Sequence, residues 1–457
     1  MLEATSSLQA KDHCQVFPST LQGKQLTCTN VNSTFFLEFN IALNKTHWLK
    51  CQSCNLSTLN EESFNIPLRN NIIFLELTQS GIRVLRKFAF KKFPLLRYLS
   101  LRNNTIDTID RMCFSGLKKL IHLDLSRNFI KYLPSNLFND LENLDILNMT
   151  KNHVFHIQTE AFAGLLHLKY LYLNYNYLQK LEENAFKHLT NLKILYLENN
   201  DIIEIHPNAF VGLRNLNFLY MNNNSISYLV QYNFKGLTSL IDLQLRFNKL
   251  REIQTSSFNG LINIKSLQLG DNEISFVKPY GFIGLETLEI LELVRNKFTF
   301  IDYFAYFSHM TNLRYLWLTK NNINNITFYY KYETQDSLLV LDVSDNNLTS
   351  FNYQLLFNYV PNIKEISVAN NPWRCDFFIY MYNFFDEKNV SVCTTDSCDA
   401  NFTKTYVDDI CPVLHTTEVD LEESYDFALD RTSSRYGSSI CSLSGVIFTF
   451  LYRTLVI

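Results

Sequence analysis

Cys51-Gln-Ser-Cys54 has the spacing that thiol–disulfide exchange uses, two cysteines separated by two residues. Such an exchange pair sits where a helix begins, with one thiolate open to substrate. Here both cysteines occupy inward positions and no helix start follows, so the pair reads as structural. The acidic residues Glu76, Asp124, Asp242, Glu292 and Asp342 could supply acid–base chemistry, but they are scattered along the chain and no base, nucleophile or metal set converges with them. No HExxH, GxSxG, phosphate-binding loop or dinucleotide fingerprint is present. The acidic run from Glu418 to Asp430 lacks a calcium-loop signature and reads as a solvated linker. The sequence therefore predicts no enzyme activity, no cofactor and no metal. What remains is recognition chemistry. Tyr170, Tyr172, Tyr175, Tyr196, Phe218, Tyr220 and Phe247 recur at related offsets, with Tyr315 and Trp317 as a smaller second set. Tyrosine offers rigid, amphipathic contact area at low entropic cost.

The elements that position these side chains follow from a repeat. Thirteen stretches fit LxxLxLxxN, their ninth positions being Ser80, Asn104, Asn128, Asn152, Asn176, Asn200, Asn224, Asn248, Asn272, Asn296, Asn321, Asn346 and Asn371. The step is 24 residues up to Asn296 and 25 beyond it. A fixed period of this length marks a solenoid of leucine-rich repeats. In the unit from Leu192, Leu195 and Leu197 alternate and face the core of a short strand. Asn200 ends the strand, and its amide can satisfy backbone groups in the turn and stack on the next Asn. Ten residues on lies a Phe, as also at Phe90, Phe114, Phe138, Phe162, Phe186, Phe234, Phe258 and Phe282, a packing column rather than a ligand site. An earlier, degenerate unit runs through Leu49, Cys51, Cys54 and Leu56, with Cys54 in the Asn slot and Phe64 in the Phe column. This makes Cys51–Cys54 a strand of the N-terminal cap.

The predicted fold is α/β: a horseshoe-shaped solenoid with a parallel sheet on its concave face and disulfide caps at both ends. Strands stacked at about 4.8 Å give an inner face on the order of 60 Å long, which suits a protein ligand. Length alone would suggest several domains, but the repeat overrides that prior. The expected divisions are residues 1–71, an N-terminal cysteine cap with the degenerate repeat; 72–371, the repeats; 372–412, a C-terminal cysteine cap; and 413–457, an acidic linker and hydrophobic tail. Third and fifth positions of the motif point out of the concave sheet, as do the seventh and eighth beyond the strand, so Tyr170, Tyr172, Tyr175, Tyr196, Phe218, Tyr220 and Phe247 form one patch over four adjacent strands. The bland alternative is that these rings stack on one another merely to cover the sheet. His122 reads as an ordinary surface residue.

Net charge is −3, and no Lys/Arg stripe suggests a nucleic acid partner. The cysteines group as Cys14, Cys28, Cys51 and Cys54 at the front and Cys375, Cys393, Cys398 and Cys411 at the back. Crosslinked caps cover the open ends of a solenoid core in an oxidising compartment. Four cysteines allow three pairings in each cap, so connectivity stays open. Cys113 reads as a buried free thiol. Sequons at Asn32, Asn44, Asn55, Asn103, Asn148, Asn223, Asn325, Asn347, Asn389 and Asn401 favour the secretory pathway, and a glycan on Asn148 would project over the edge of the patch. Residues 1–13 show no signal-peptide core, so either the start lies upstream of Met1, the favoured expectation, or the protein is not secreted. The tail from Gly437 to Ile457 loosely resembles a GPI-attachment signal, although its spacer is short and Arg453 interrupts it; a plain tail or a marginal spanning helix are the alternatives.

Residues 72–371 resemble the typical extracellular class of leucine-rich repeats, and Asn371-Pro372-Trp373-Arg374-Cys375 is similar to the start of that family's C-terminal cysteine cap. The family usually has a second Cys where Phe377 stands here. The spacing that remains suggests Cys375–Cys398 and Cys393–Cys411. The whole looks like the ectodomains of Toll receptors, adhesion proteins such as connectin and chaoptin, and mosquito leucine-rich immune proteins. No Toll/interleukin-receptor signalling domain and no heptad run is present in the sequence. The resemblance implies an extracellular recognition protein that binds a protein or a microbial surface component on its concave face, with innate immunity as the first context. A GPI-anchored adhesion or axon-guidance protein, a regulatory or inhibitory subunit of a secreted enzyme, and a cytosolic scaffold are the rival expectations.

Overall fold

The computed structural model describes residues 14–18, 24–32, 46–64, 71–328 and 334–394. Within these the expected solenoid is found. A hairpin of Cys14–Pro18 and Lys24–Thr29, antiparallel with Cys14 opposite Cys28, opens the sheet. From Lys24–Thr29 onward every strand is parallel to the next, through Thr46–Gln52 and Phe74–Thr78 to Glu365–Ser367 and Ser391–Cys393. Most strands are three residues long, and residues one repeat apart sit side by side: Tyr170 with Ile194, Leu171 with Leu195, Tyr172 with Tyr196. Their burial alternates as a one-sided sheet requires, with Leu195 and Leu219 fully buried between half-buried neighbours.

The asparagine column holds adjacent turns together. Asn200 Nδ2 donates to the carbonyls of Leu197 and, one repeat back, Leu173, both at 3.0 Å. Its Oδ1 accepts from Leu178 N–H at 3.1 Å. The same bonds recur at Asn128, Asn152, Asn224 and Asn346. The amides thus bridge backbones of successive repeats, and this bridging to backbone, more than stacking of one amide on the next, is what buries them without loss. Ser80, in the same column, donates its backbone N–H to Asn104 Oδ1 (2.8 Å) and its hydroxyl to the Thr78 carbonyl (3.0 Å).

On the other side of the core the phenylalanine column is a continuous stack. Successive rings from Phe90 to Phe282 lie 5.8–6.4 Å apart, and Phe307 extends the series at 6.3 Å. Phe64 instead meets Phe93 edge-on at 5.2 Å. The return path is made of turns and two-residue strands such as Glu204–Ile205 rather than helices. A 24-residue unit leaves little chain for a helix, and neighbouring returns approach closely: a Cβ on Gly212 (φ +103°) would stand 2.5 Å from the Lys187 carbonyl oxygen. Where the step lengthens to 25, short helices appear at Tyr303–Phe307 and Tyr353–Tyr359, capped by the side chains of Asp302 and Asn352. The helix Cys375–Glu387 then covers the far end, burying Phe378, Met381 and Phe385. The α component is therefore small among the described residues.

In the N-terminal cap the pairings left open by the sequence are Cys14–Cys28 and Cys51–Cys54. The strand reading of Cys51–Cys54 needs correction. The strand ends at Gln52, and Ser53 turns the chain in the left-handed region (φ +56°), bringing Cys54 back toward Cys51. Both sulfurs are buried. Cys375 and Cys393 are disulfide-bonded, whereas Cys398, Cys411 and Cys441 lie outside the described residues, and with them the suggested pairings. Cys113 is a buried free thiol. Among the described residues no helix is long and apolar enough to cross a membrane; the tail from Gly437 and the run from Glu418 to Asp430 lie outside them.

Candidate functional site

The concave face is built from three outward columns. In the repeat from Leu192 these are Ile194 and Tyr196 on the strand and Glu198 just beyond it. Because strands are in register, each column repeats at the strand spacing, and side chains of like position meet. Tyr172, Tyr196 and Tyr220 form a stack, with ring centroids 4.5 Å apart at 7° and then 5.0 Å at 28°. Phe218 joins from the adjacent column, 6.4 Å from Tyr220. Tyr170 stands in that same column between Ile146 and Ile194, half-buried. The rings cover one another as well as the sheet, and their outer surfaces stay partly open to solvent.

Tyr175 and Phe247 occupy a different place. They are eighth residues of their motifs, and all thirteen eighth residues, from Gln79 to Asn370, have φ between +50° and +58°. Six of these are Asn or Asp, which tolerate the left-handed region; a ring there is costly for its backbone. Tyr175 and Phe247 are nonetheless both 47% exposed, with Asn199 and Asn223 between them in the turn column. Lys151 Nζ lies 4.9 Å from the Tyr175 ring and the Arg246 guanidinium 5.5 Å from Phe247. Tyr315 and Trp317 meet on one strand at 6.2 Å, and Trp317 sits in register between Glu292 and Asp342.

The carboxylates of this face are largely withdrawn from water. Burial raises Asp242, Glu292, Asp342 and Glu365 above the usual carboxylate range. Burial raises Glu198 to about 7. Glu292 is partly compensated by Arg246 Nε at 3.3 Å, while Arg246 also reaches Asp271 (3.0 Å), which Arg295 holds from the other side (2.8 Å). Gly270 makes this arrangement possible, since a Cβ there would lie 2.6 Å from Glu292 Oε1. Asp124 and Asp342 accept from the N–H two residues on, at 2.9 Å, and Glu76 pairs with Lys50 at 3.4 Å. The acids thus serve turns, ion pairs or desolvated positions, and no group of three metal-ligating side chains occurs among the described residues.

Two aromatic features were not singled out by the sequence reading. Toward the N-terminus Trp48, Phe74, Tyr98 and His122 form a ring series on adjacent strands, at 5.5, 6.1 and 4.7 Å. His122 is half-buried, and burial lowers its pKa, so it is not a simple surface residue. On the flank beside the turns, Phe129, His153 and Tyr177 form edge contacts at 5.1 and 5.4 Å, with Tyr132 against Phe155 at 4.9 Å. The signal was present: these are aromatic in three successive repeats at the position after the Asn, where most other repeats are polar. Of the sequons, Asn32, Asn55, Asn103, Asn223, Asn325, Asn347 and Asn389 are exposed, Asn148 is half-buried with its Oδ1 accepting from Thr150 N–H (3.0 Å), and Asn44 and Asn401 lie outside the described residues. Asn223 stands in the turn column beside Phe247, so it borders the aromatic face as Asn148 does.

No curated protein matches the chain. Among solved structures it is similar to the Toll–Spatzle complex of Drosophila in its glycosylated form, with TM-score 0.65 and 18% identity over 83% of this chain and 58% of that one. A TLR13–ssRNA13 complex follows at TM-score 0.53 and 24% identity, over 79% and 58%. A leucine-rich repeat protein of Leptospira interrogans gives TM-score 0.53 and 21% identity, over 77% and 90%. The chain thus spans 58% of the Toll and TLR13 chains. These likenesses show the fold. The leucine rich repeat family matches residues 74–130, 108–154, 142–202, 190–250 and 238–298. With the period, the asparagine ladder and the parallel concave sheet, these matches make the chain a member of the leucine-rich repeat family.

Proposed function

We propose that this chain is a non-enzymatic extracellular recognition protein that binds a protein ligand or a microbial surface component on its concave face, in innate immunity. The observation that carries the reading is the stack of Tyr172, Tyr196 and Tyr220 on that face, bordered by exposed Tyr175. Packing does not require large rings at these positions, since Gln244 and Gln268 continue the same column. Aromatic clusters of this kind anchor protein interfaces. The two N-terminal disulfides and the exposed sequons support an extracellular setting. The Toll and TLR13 structures are complexes with Spatzle and with ssRNA13 respectively, so the fold alone does not rule out a nucleic acid, contrary to the expectation from charge. The desolvated carboxylates of this concave face favour a protein over a polyanion.

The test is a combined Tyr172→Ala, Tyr196→Ala, Tyr220→Ala variant. It is expected to keep its circular dichroism spectrum and melting profile and to lose at least 100-fold in affinity for the partner captured by the native protein. Undiminished affinity would remove the concave reading.

A further inference from the structure

Across the repeats that carry the tyrosine stack, the three outward columns hold Ile146, Tyr170, Ile194 and Phe218; Asn148, Tyr172, Tyr196 and Tyr220; and Thr150, Asn174, Glu198 and Asn222. Glu198 is the single charge among them. The polar side chains around it are already engaged elsewhere. Thr150 Oγ1 donates to Asn174 Oδ1 at 2.8 Å. Asn222 donates to Gln244 Oε1 at 2.9 Å and accepts from Arg246 N–H at 2.9 Å. These links bypass Glu198: its carboxyl meets its own backbone N–H, and its Oε2 is buried with no hydrogen-bond partner among the described residues.

Nor does a cation among the described residues serve it. Arg246, the cation of the neighbouring concave columns, is committed to Asp271 and Glu292. Beside Glu198 the aromatic wall continues: Tyr196 is two residues before it, and Tyr175 N–H donates to the Glu198 carbonyl at 2.9 Å. A second carboxylate on the other side of the tyrosine column repeats the pattern. Asp242, next to Phe218 in register, accepts from Gln244 through Oδ2 at 2.9 Å and its carboxyl also meets the Ser266 side chain, while its buried Oδ1 has no geometric hydrogen bond among the described residues.

Leaving a carboxyl oxygen buried and unpaired is costly whether it is ionised or not, and such groups persist where something else completes them. A single carboxylate is too few ligands for a metal ion. A planar guanidinium fits better: it bonds a carboxylate through two N–H groups and lies flat against aromatic rings. We propose that Glu198 is the specificity-determining anchor of the tyrosine face and takes an arginine side chain of the protein ligand, with Asp242 offering a second acceptor for a basic group of the same ligand. This rests on the reading that the concave face binds a protein. The proton that the desolvated carboxyl holds near neutral pH would be released on binding, because an adjacent guanidinium favours the ionised form.

The test uses the full disulfide-bonded chain and three acetylated, amidated tripeptides: Gly-Arg-Gly, its citrulline analogue (same shape, no charge) and Gly-Lys-Gly. Native protein is expected to bind the arginine peptide at least tenfold tighter than the citrulline peptide, and tighter than the lysine peptide. Glu198→Gln, which keeps the side-chain shape, should erase the arginine–citrulline difference; Asp242→Asn should leave most of it. No arginine preference in the native protein, a preference surviving in Glu198→Gln, or a lysine preference would each overturn the assignment. Loss of the captured native partner by the triple tyrosine variant but not by Glu198→Gln would sink the arginine anchor alone. Retention of that partner by the triple variant, with arginine discrimination intact, would sink the recognition reading and leave the carboxylate subsite standing.

Discussion

At the scale of single residues, the energetics of this solenoid turn on polar groups inside a mostly apolar sheet. Glu198 has a folded pKa of about 7 against an ordinary 4.5, raised by burial. Its native form therefore binds more protons than the unfolded chain between these values, and stability falls as pH rises through that window. Below it the carboxyl is neutral in both states and the charge penalty is absent; above it that penalty is present in full. Discounted for partial exposure, the penalty is about 1–2 kcal/mol. Glu198→Gln is thus expected to raise the urea midpoint at pH 8 and to change little at pH 4.5. Equal effects at both pH values would contradict the desolvated carboxyl. Asn200 works in the opposite direction. Asn200→Leu removes the donor to Leu173 and Leu197 and the acceptor for Leu178 N–H, leaving buried backbone unsatisfied. A loss of roughly 1–3 kcal/mol is expected, read as a lower melting midpoint. An unchanged midpoint would count against the ladder.

At the scale of elements, three-residue strands and two-residue returns have little stability of their own. Each turn is held by its neighbours through the asparagine bridges on one side and the phenylalanine stack on the other. Phe186 lies between Phe162 and Phe210, at 6.0 and 6.1 Å, and is fully buried. Phe186→Ala is expected to cost about 3–5 kcal/mol, because a flat stack of rings cannot collapse into the hole. Denaturant titration should show either a lowered midpoint or a split transition, since a break in nearest-neighbour coupling can part the array into two cooperative blocks. A single unshifted transition would show the stack to be dispensable. The caps answer the same need at the ends: the disulfides Cys14–Cys28 and Cys51–Cys54 close the first strands, and the helix Cys375–Glu387 lays Phe378, Met381 and Phe385 on the last.

At the scale of the whole molecule, two faces differ. The return side is occupied by packing, whereas the concave side and its flank carry rings that the fold does not demand. The tyrosine stack, the series Trp48 to His122, the pair Tyr315 and Trp317, and the flank set Phe129, His153 and Tyr177 are spread along the solenoid. A glycan on Asn148 or Asn223 would stand at opposite borders of the stack and narrow the approach to it. Loss of binding in the triple tyrosine variant therefore selects the central patch over the others, because only that variant alters it.

The sequence by itself determined the path of the chain. A 24-residue period, with leucines alternating over a few residues, settles which side chains face the core and which column each outward residue joins. It therefore assigned the aromatic residues and the asparagines to their columns. Tertiary structure alone decided what depends on neighbours a full turn away. The left-handed backbone of every eighth residue set Tyr175 and Phe247 apart from the stacked rings, and the turn at Ser53 paired Cys51 with Cys54. Which polar links form between repeats left one oxygen of Glu198 and one of Asp242 over. The reason is physical: inward and outward follow from local periodicity, whereas desolvation, ring geometry and hydrogen-bond partnership are properties of the environment that packed turns create together.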